Sequence, residues 1–243
     1  MSAAPDRRVA VVTGGARRLG RHLCLSLATR GYDVVIVYRS SDDDARTLEQ
    51  EIAAAGHHAR AVKVDVADKH AVAAAFAGIG AAEGRVDLLV NNVGNYNPQD
   101  VTALDPDVWD ETIAANLSGA YYCCHGALTL MPEGGNIINI GMAGLEGIRA
   151  NTRGADYYVS KTGLLVLTRA LAAAYAPRQI RVNMVSPGQL ENSVDLPPAN
   201  EISRWVPMGR SGALDDIAQA VHYLLDASYV TGQNIDVAGG YRL

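Results

Sequence analysis

Short apolar runs alternate with amphipathic ones along almost the whole chain. The runs at residues 9–12, 34–38, 60–64, 86–91, 137–140, 180–185 and 235–237 are brief and mostly apolar, which predicts β-strands. Between them, residues 19–29, 42–55, 69–82, 108–130, 155–175 and 214–225 carry helical spacing. Gly31 and Gly56 close the first two of these helices, an acidic first turn opens the 42–55 helix, and Pro177 ends the 155–175 helix. Strands without polar alternation are buried on both faces, which predicts parallel pairing. Right-handed crossovers then give an α/β fold, a single doubly wound parallel sheet of Rossmann type with helices on both faces. No linker, repeat or low-complexity segment interrupts the pattern, so residues 1–243 are expected to form one domain. Ligands of such sheets bind outside the carboxyl ends of the strands, so the residues just after each strand carry the chemistry.

Composition narrows the function. Hydrophobic residues make up 49% and charged residues 19% of the chain, enough apolar material for a large core. A net charge of -5 is the wrong sign for a general nucleic-acid binder. No apolar run approaches the ~18 residues of a membrane span. The opening MSAAPDRR lacks the apolar stretch of a signal peptide, so the cytoplasm is the expected compartment. Cys24, Cys123 and Cys124 have neither disulfide-framework nor metal-ligand spacing and are expected to pack as small hydrophobes.

The first strand leads into Thr13-Gly14-Gly15-Ala16-Arg17-Arg18-Leu19-Gly20. Glycines at a strand-to-helix turn let the backbone approach a pyrophosphate, and the helix N-terminus attracts its charge. A dinucleotide with a free ribose 2′-OH usually meets an acid roughly 20 residues on. Here the second strand ends Tyr38-Arg39-Ser40, with no acid. Arg17, Arg39 and Ser40 would suit a 2′-phosphate, because guanidinium forks bind its oxygens, so NADPH is expected over NADH. The competing reading of the two arginines is an ordinary solvated surface pair.

At this point the chain resembles the short-chain dehydrogenase/reductase family over essentially its whole length. The turn is similar to the family's TGxxxGxG, with Arg18 where the middle glycine usually stands; Asp65-Val66 resembles its adenine-contacting pair, and Asn91-Asn92-Val93-Gly94 its NNAG. Asn116 resembles the helix Asn of the catalytic tetrad, Tyr157 to Lys161 matches YxxxK, Ser186-Pro187-Gly188 resembles the PG turn, and Ala238-Gly239-Gly240 the C-terminal xGG. The resemblance implies NADP(H) contacts at Gly14, Arg17, Arg18, Leu19, Arg39, Ser40, Asp65, Val66, Asn92, Gly94, Tyr157, Lys161 and Leu190. It implies a catalytic set of Asn116, Tyr157 and Lys161, with Asn116 holding a water that links Lys161 to solvent, and a homotetramer or homodimer.

Tyr157 and Lys161 are four apart on a predicted helix and share one face. A free tyrosine has a pKa of ~10, and a nearby ammonium favours its ionised form. That makes Tyr157 a usable acid/base for a carbonyl–alcohol couple, with Lys161 also bonding the nicotinamide ribose by resemblance. An isolated YxxxK is more often an aromatic packed on a lysine stem, but with Asn116 and the glycine turn present that reading loses. Tyr158 is a competing hydroxyl at the wrong spacing.

One departure stands out. The family normally places a serine about two residues past the fifth strand, where it hydrogen-bonds the substrate carbonyl; here the position is Met142. Losing such a donor can lower the rate on the order of 10²–10³-fold. The substrate can supply its own hydrogen bonding, another group such as Thr152 can substitute, or the chain reduces poorly or not at all. Pteridine reductases share the basic turn, the Tyr-Arg-Ser after the second strand and the missing serine, but commonly carry an aspartate there. Glu146, Arg149, Asn151 and Arg153, with Asn95, Tyr96, Gln189, Glu191 and Asn192, form a candidate polar rim or an ordinary solvated loop. Residues 190–206 stand where the family has its substrate lid, stiffened here by Pro197-Pro198.

The best generic match is to ketoreductases resembling 3-oxoacyl-carrier-protein reductases, which implies a small-molecule or acyl-thioester carbonyl substrate. A carrier protein is acidic and needs a basic dock. The run Met131-Pro132-Glu133-Gly134-Gly135 before the fifth strand offers no cation, and only Arg178 remains before the sixth. Carbonyl reduction is therefore the leading expectation, without a committed carrier. A pterin-like C=N reductase and a cofactor-binding protein with a non-redox role are the alternatives.

Overall fold

The computed structural model describes residues 7–147, 151–194, 196–198 and 200–242. Its seven strands are β1 (Arg8–Thr13), β2 (Tyr32–Tyr38), β3 (Ala59–Lys63), β4 (Leu88–Asn91), β5 (Asn136–Ile140), β6 (Arg181–Pro187) and β7 (Asn234–Val237). All pair in parallel, in the order β3-β2-β1-β4-β5-β6-β7. The order reverses between β1 and β4, which opens a crevice at their carboxyl ends.

Both faces of the sheet are buried, as the unalternated strands require. Along β1, Ala10 and Val12 enter one core while Val9 and Val11 enter the other, all fully buried. The first core lies under α1 (Arg18–Thr29), α2 (Asp42–Ala54) and α8 (Leu214–Asp226). Leu23 and Leu27, one helical turn apart on α1, are both fully buried there, each burial stabilising by roughly 1.5–3 kcal/mol. The second core lies under α3 (Lys69–Glu83), α5 (Gly119–Leu130) and α6 (Ala155–Tyr175). Local signals set the helix ends. The Asp68 side chain accepts from the backbone N–H of His70 and Ala71 to start α3, and Gly84 at φ 77° ends it. Asp105 with Pro106 opens α4 (Pro106–Ile113).

The sequence pattern predicts one helix over 108–130, but the structure breaks it. After α4, residues Ala114–Ser118 form a π-helical turn, and α5 follows directly. Hydrophobic periodicity continues through such a turn and does not reveal it. The wider turn carries Asn116 fully into the interior. The lid region contains one short helix, α7 (Ile202–Trp205), below the length that periodicity detects.

All three cysteines are free and buried. Burial pushes each thiol upward, Cys124 to about 12, so they pack and do not react. Among the described residues, no helix is long and apolar enough to cross a membrane.

Candidate active site

The crevice at the β1–β4 reversal is shaped by the turn after β1. Gly14 sits at φ 62° and Arg18 at φ 48°, both left-handed. Arg18 therefore holds a backbone conformation that glycine adopts freely. A Cβ on Gly20 would lie 2.1 Å from the Gly14 carbonyl oxygen, so α1 approaches the turn as only glycine permits. Asn92 fastens the turn to β4: its Nδ2 donates to the Thr13 and Gly14 carbonyls at 3.1 and 3.2 Å. Its backbone N–H donates to Thr13 Oγ1 at 3.0 Å.

Two cavities open along this crevice. One, of about 130 Å³, is lined by Gly14, Tyr38, Arg39, Asp65, Val66 and Asn95 among others. Arg39 reaches across it to Asp65, 3.5 Å away. Arg17 is not in its lining and pairs instead with Asp44 on α2 at 2.5 Å, so the two arginines expected to act together have separate carboxylate partners. Ser40 is exposed at the end of β2. Leu19 and Leu190 pack into the first core and line neither cavity.

The other cavity, of about 200 Å³, holds Tyr157. Lys161 lies below the ring, with Nζ 5.7 Å from its centroid, and is fully sequestered at 2% exposure. Its Nζ donates to the Ile140 carbonyl at 2.8 Å. A Cβ on Gly94 would sit 3.2 Å from that nitrogen, so the glycine gives the ammonium its space. The ring of Tyr96 meets Tyr157 edge-on at 5.0 Å.

Burial lowers the Lys161 pKa from 10.5 to about 8. Below pH 8 the folded and unfolded chains both carry this proton, and the burial penalty is constant. Between pH 8 and 10.5 the unfolded chain binds more protons at this site, so stability rises with pH there. The gain is on the order of 3 kcal/mol. Urea denaturation across this window is expected to show the gain in the wild type and to lose it in Lys161→Met; parallel profiles would refute the low pKa.

Asn116 is committed to the protein itself. Its Oδ1 accepts from the Asn95 N–H at 2.7 Å, and its Nδ2 donates to the Asn95 carbonyl at 2.9 Å and to Ser160 Oγ at 3.2 Å. It thus ties the loop after β4 to α6, one residue from Lys161.

Met142 lines the Tyr157 cavity with a thioether, which cannot donate. Thr152 does not replace the missing donor; its side chain bonds Asp100, outside this lining. Of the polar rim, Tyr96, Gln189 and Asn192 line the cavity. Asn95 lines the other one. Glu146 pairs with Arg169, Arg153 bonds the Pro98 carbonyl, and Asn151 bonds the Tyr158 hydroxyl. Glu191 is exposed, and Arg149 lies outside the described residues. Gln189 Oε1 is buried without a hydrogen-bond partner among the described residues.

The pattern reading missed Tyr241 and Arg242, which also line this cavity. The available signal was Gly239-Gly240, left-handed at φ 59° and 88°, which turns the chain back over the site.

A family model described as enoyl-(acyl carrier protein) reductase matches residues 14–242. The chain is 34% identical over 239 residues to 3-oxoacyl-[acyl-carrier-protein] reductase FabG of Staphylococcus aureus, covering 95% of this chain and 96% of that protein. It is similar to a short-chain dehydrogenase/reductase from Serratia marcescens, with TM-score 0.92, 31% identity, and coverage of 99% of this chain and 100% of that one. It is also similar to a blue fluorescent protein from a metagenomic library in complex with NADPH, with TM-score 0.90, 34% identity, and coverage of 97% and 98%. These matches span nearly the full length of both partners, and the chain belongs to the short-chain dehydrogenase/reductase family of oxidoreductases.

Proposed function

We propose that the chain is an NADPH-dependent carbonyl reductase in which Tyr157 donates a proton to the substrate oxygen. The observation that carries this is Lys161: a fully buried ammonium under the face of a tyrosine that opens into a cavity. Burying that charge destabilises the fold, and the hydrogen bond to the Ile140 carbonyl offsets only part of the cost.

The residues present fit a phosphorylated dinucleotide. Gly14 and Gly20 leave the backbone bare at the β1 turn, and a side chain at Gly20 would collide with it. Arg39 lines the cavity beside Asp65 and carries the charge for a 2′-phosphate. Gln189 Oε1, buried and without a described partner, is the acceptor that a carboxamide N–H₂ needs. The fluorescent relative bound to NADPH supports the same choice. When bound, the cofactor supplies hydride to the carbonyl carbon.

The chain's own residues do the rest. Tyr157 holds the proton at its Oη and releases it to the developing alkoxide. Lys161, charged at neutral pH by its pKa of about 8, stabilises the phenolate that remains. Asn116 fixes the loop carrying Asn95 against α6 and keeps Tyr157 and Lys161 in register. Met142 cannot donate to the substrate oxygen, which leaves Tyr157 as the hydroxyl set over the Lys161 ammonium. Ketone reduction is favoured over pterin reduction because no carboxylate stands in the described cavity lining to pair with pterin nitrogens.

The test follows NADPH absorbance with a panel of ketones and dihydropterins. Ketone-dependent oxidation is expected, with NADPH preferred over NADH. Arg39→Ala is expected to weaken NADPH binding by about tenfold or more, the equivalent of at least ~1.4 kcal/mol, and to leave NADH binding nearly as it was. Equal loss for both coenzymes would reject Arg39 as the phosphate reader. Tight NADPH binding without turnover on any panel member would reject the reductase.

A further inference from the structure

The carbonyl-reduction chemistry gives Arg242 no task, yet Arg242 lines the cavity beside Tyr157. Its guanidinium carbon lies 5.1 Å from the ring centroid of Tyr158 and 5.1 Å from that of Tyr241. Asn151 Nδ2 donates to the Tyr158 hydroxyl at 3.1 Å, which steadies one of those rings. Gly144 fits under the arginine, where an added Cβ would be 3.0 Å from Arg242 Cβ. Arg242 is exposed to solvent on its remaining side, and packing on three sides fixes its placement.

Among the described residues no acid neutralises this charge. Aromatic faces attract a guanidinium by roughly 0.5–2 kcal/mol but carry no net charge to neutralise it. Among the described residues, Arg242 has no carboxylate within ion-pair distance, although the chain carries 26 acidic residues and a net charge of -5. The described cavity lining contains Arg18 and Arg242 and no acidic side chain. Arg18 belongs to the glycine turn where a dinucleotide would pass. Arg242 remains for the second ligand. Its side chain hydrogen-bonds Tyr158 and Tyr241, and the donors that remain of the five-donor fork match a carboxylate.

We propose that Arg242 is a specificity-determining residue that binds a carboxylate of the substrate, so that the preferred substrate class is a small oxo acid. This rests on the carbonyl-reductase reading and deepens it. Tyr157, Tyr158 and Arg242 line the same cavity, so a carboxylate on Arg242 and a ketone at Tyr157 belong to one compact molecule. A neutral ketone or a thioester would bring no carboxylate to Arg242.

The experiment compares acetoacetate, 4-oxopentanoate and 5-oxohexanoate with their ethyl esters. Steady-state kinetics use the full chain with saturating NADPH, and calorimetry measures binding of each acid to the complex with NADP⁺. At least one acid is expected to exceed its ester in kcat/KM by about tenfold, and Arg242→Gln is expected to erase that ratio mainly through KM, a change of ~1.4 kcal/mol. Arg242→Lys should restore part of the binding by returning the charge without the fork. A structural role would lower acid and ester alike and leave their ratio intact. That result, or the failure of every acid to bind, overturns the proposal. Arg242-dependent binding of an acid without NADPH oxidation would instead uphold this site and overturn the reductase. Reduction of the esters alone would do the reverse.

Discussion

Tyr157→Phe is expected to lower the rate of ketone reduction by about 10²–10⁴-fold. The substitution removes one oxygen and keeps the ring. That ring still meets Tyr96 edge-on and still covers Lys161, so the packing of the site survives. NADPH affinity should accordingly change little, and the loss should fall on kcat. Single-turnover measurement of NADPH oxidation separates these quantities. Tyr158, which lines the same cavity, is the natural comparison. Its hydroxyl is held by Asn151 and its ring lies against Arg242, so Tyr158→Phe should cost far less. A Tyr157→Phe protein that turns over at the wild-type rate would remove the proton-donor role altogether.

Gly20→Ala is expected to abolish tight NADPH binding and to lower the thermal midpoint. The new methyl would meet the Gly14 carbonyl oxygen at 2.1 Å and Asn92 Nδ2 at 2.8 Å. Neither can retreat cheaply. The carbonyl is backbone, and Asn92 is bonded to both Thr13 and Gly14 carbonyls. The start of α1 must move outward, which breaks the turn that would receive the pyrophosphate. Overpacking of this kind destabilises by roughly 1–3 kcal/mol, or about 2–4 °C per kcal/mol for a chain of this size. Gly78 offers the control. It lies within α3 and has nothing within 4 Å of its added Cβ, so Gly78→Ala should cause no loss. Differential scanning fluorimetry with and without NADPH reads both effects. A Gly20→Ala protein with wild-type NADPH stabilisation would show that the turn is not the cofactor's seat.

The Met142 position links these expectations to substrate choice. Without a hydroxyl there, an incoming carbonyl finds fewer fixed donors near Tyr157. An anionic group held by Arg242 would orient such a substrate without that donor, trading hydrogen-bond positioning at the oxygen for ion-pair positioning at a distance.

The alternation of short apolar runs with amphipathic ones determined the parallel sheet, because a strand buried on both faces leaves no polar alternation to read. The same pattern placed α6 from Ala155 to Tyr175. With it came Tyr157 and Lys161 on one face, because a spacing of four is a property of the helix alone. The glycine turn after β1 was equally local. The π-helical turn at Ala114–Ser118 was not, since it keeps apolar residues inside while shifting the register that buries Asn116. Arg17 and Arg39 looked like a pair in sequence, but packing of α2 gave Arg17 to Asp44 and left Arg39 facing Asp65. Arg242 is the clearest case. It lies 84 positions beyond Tyr158 in the chain. Only the fold brings the two within 5.1 Å, because strand order and the left-handed Gly239-Gly240 turn, rather than any local preference, decide which distant side chains share a cavity.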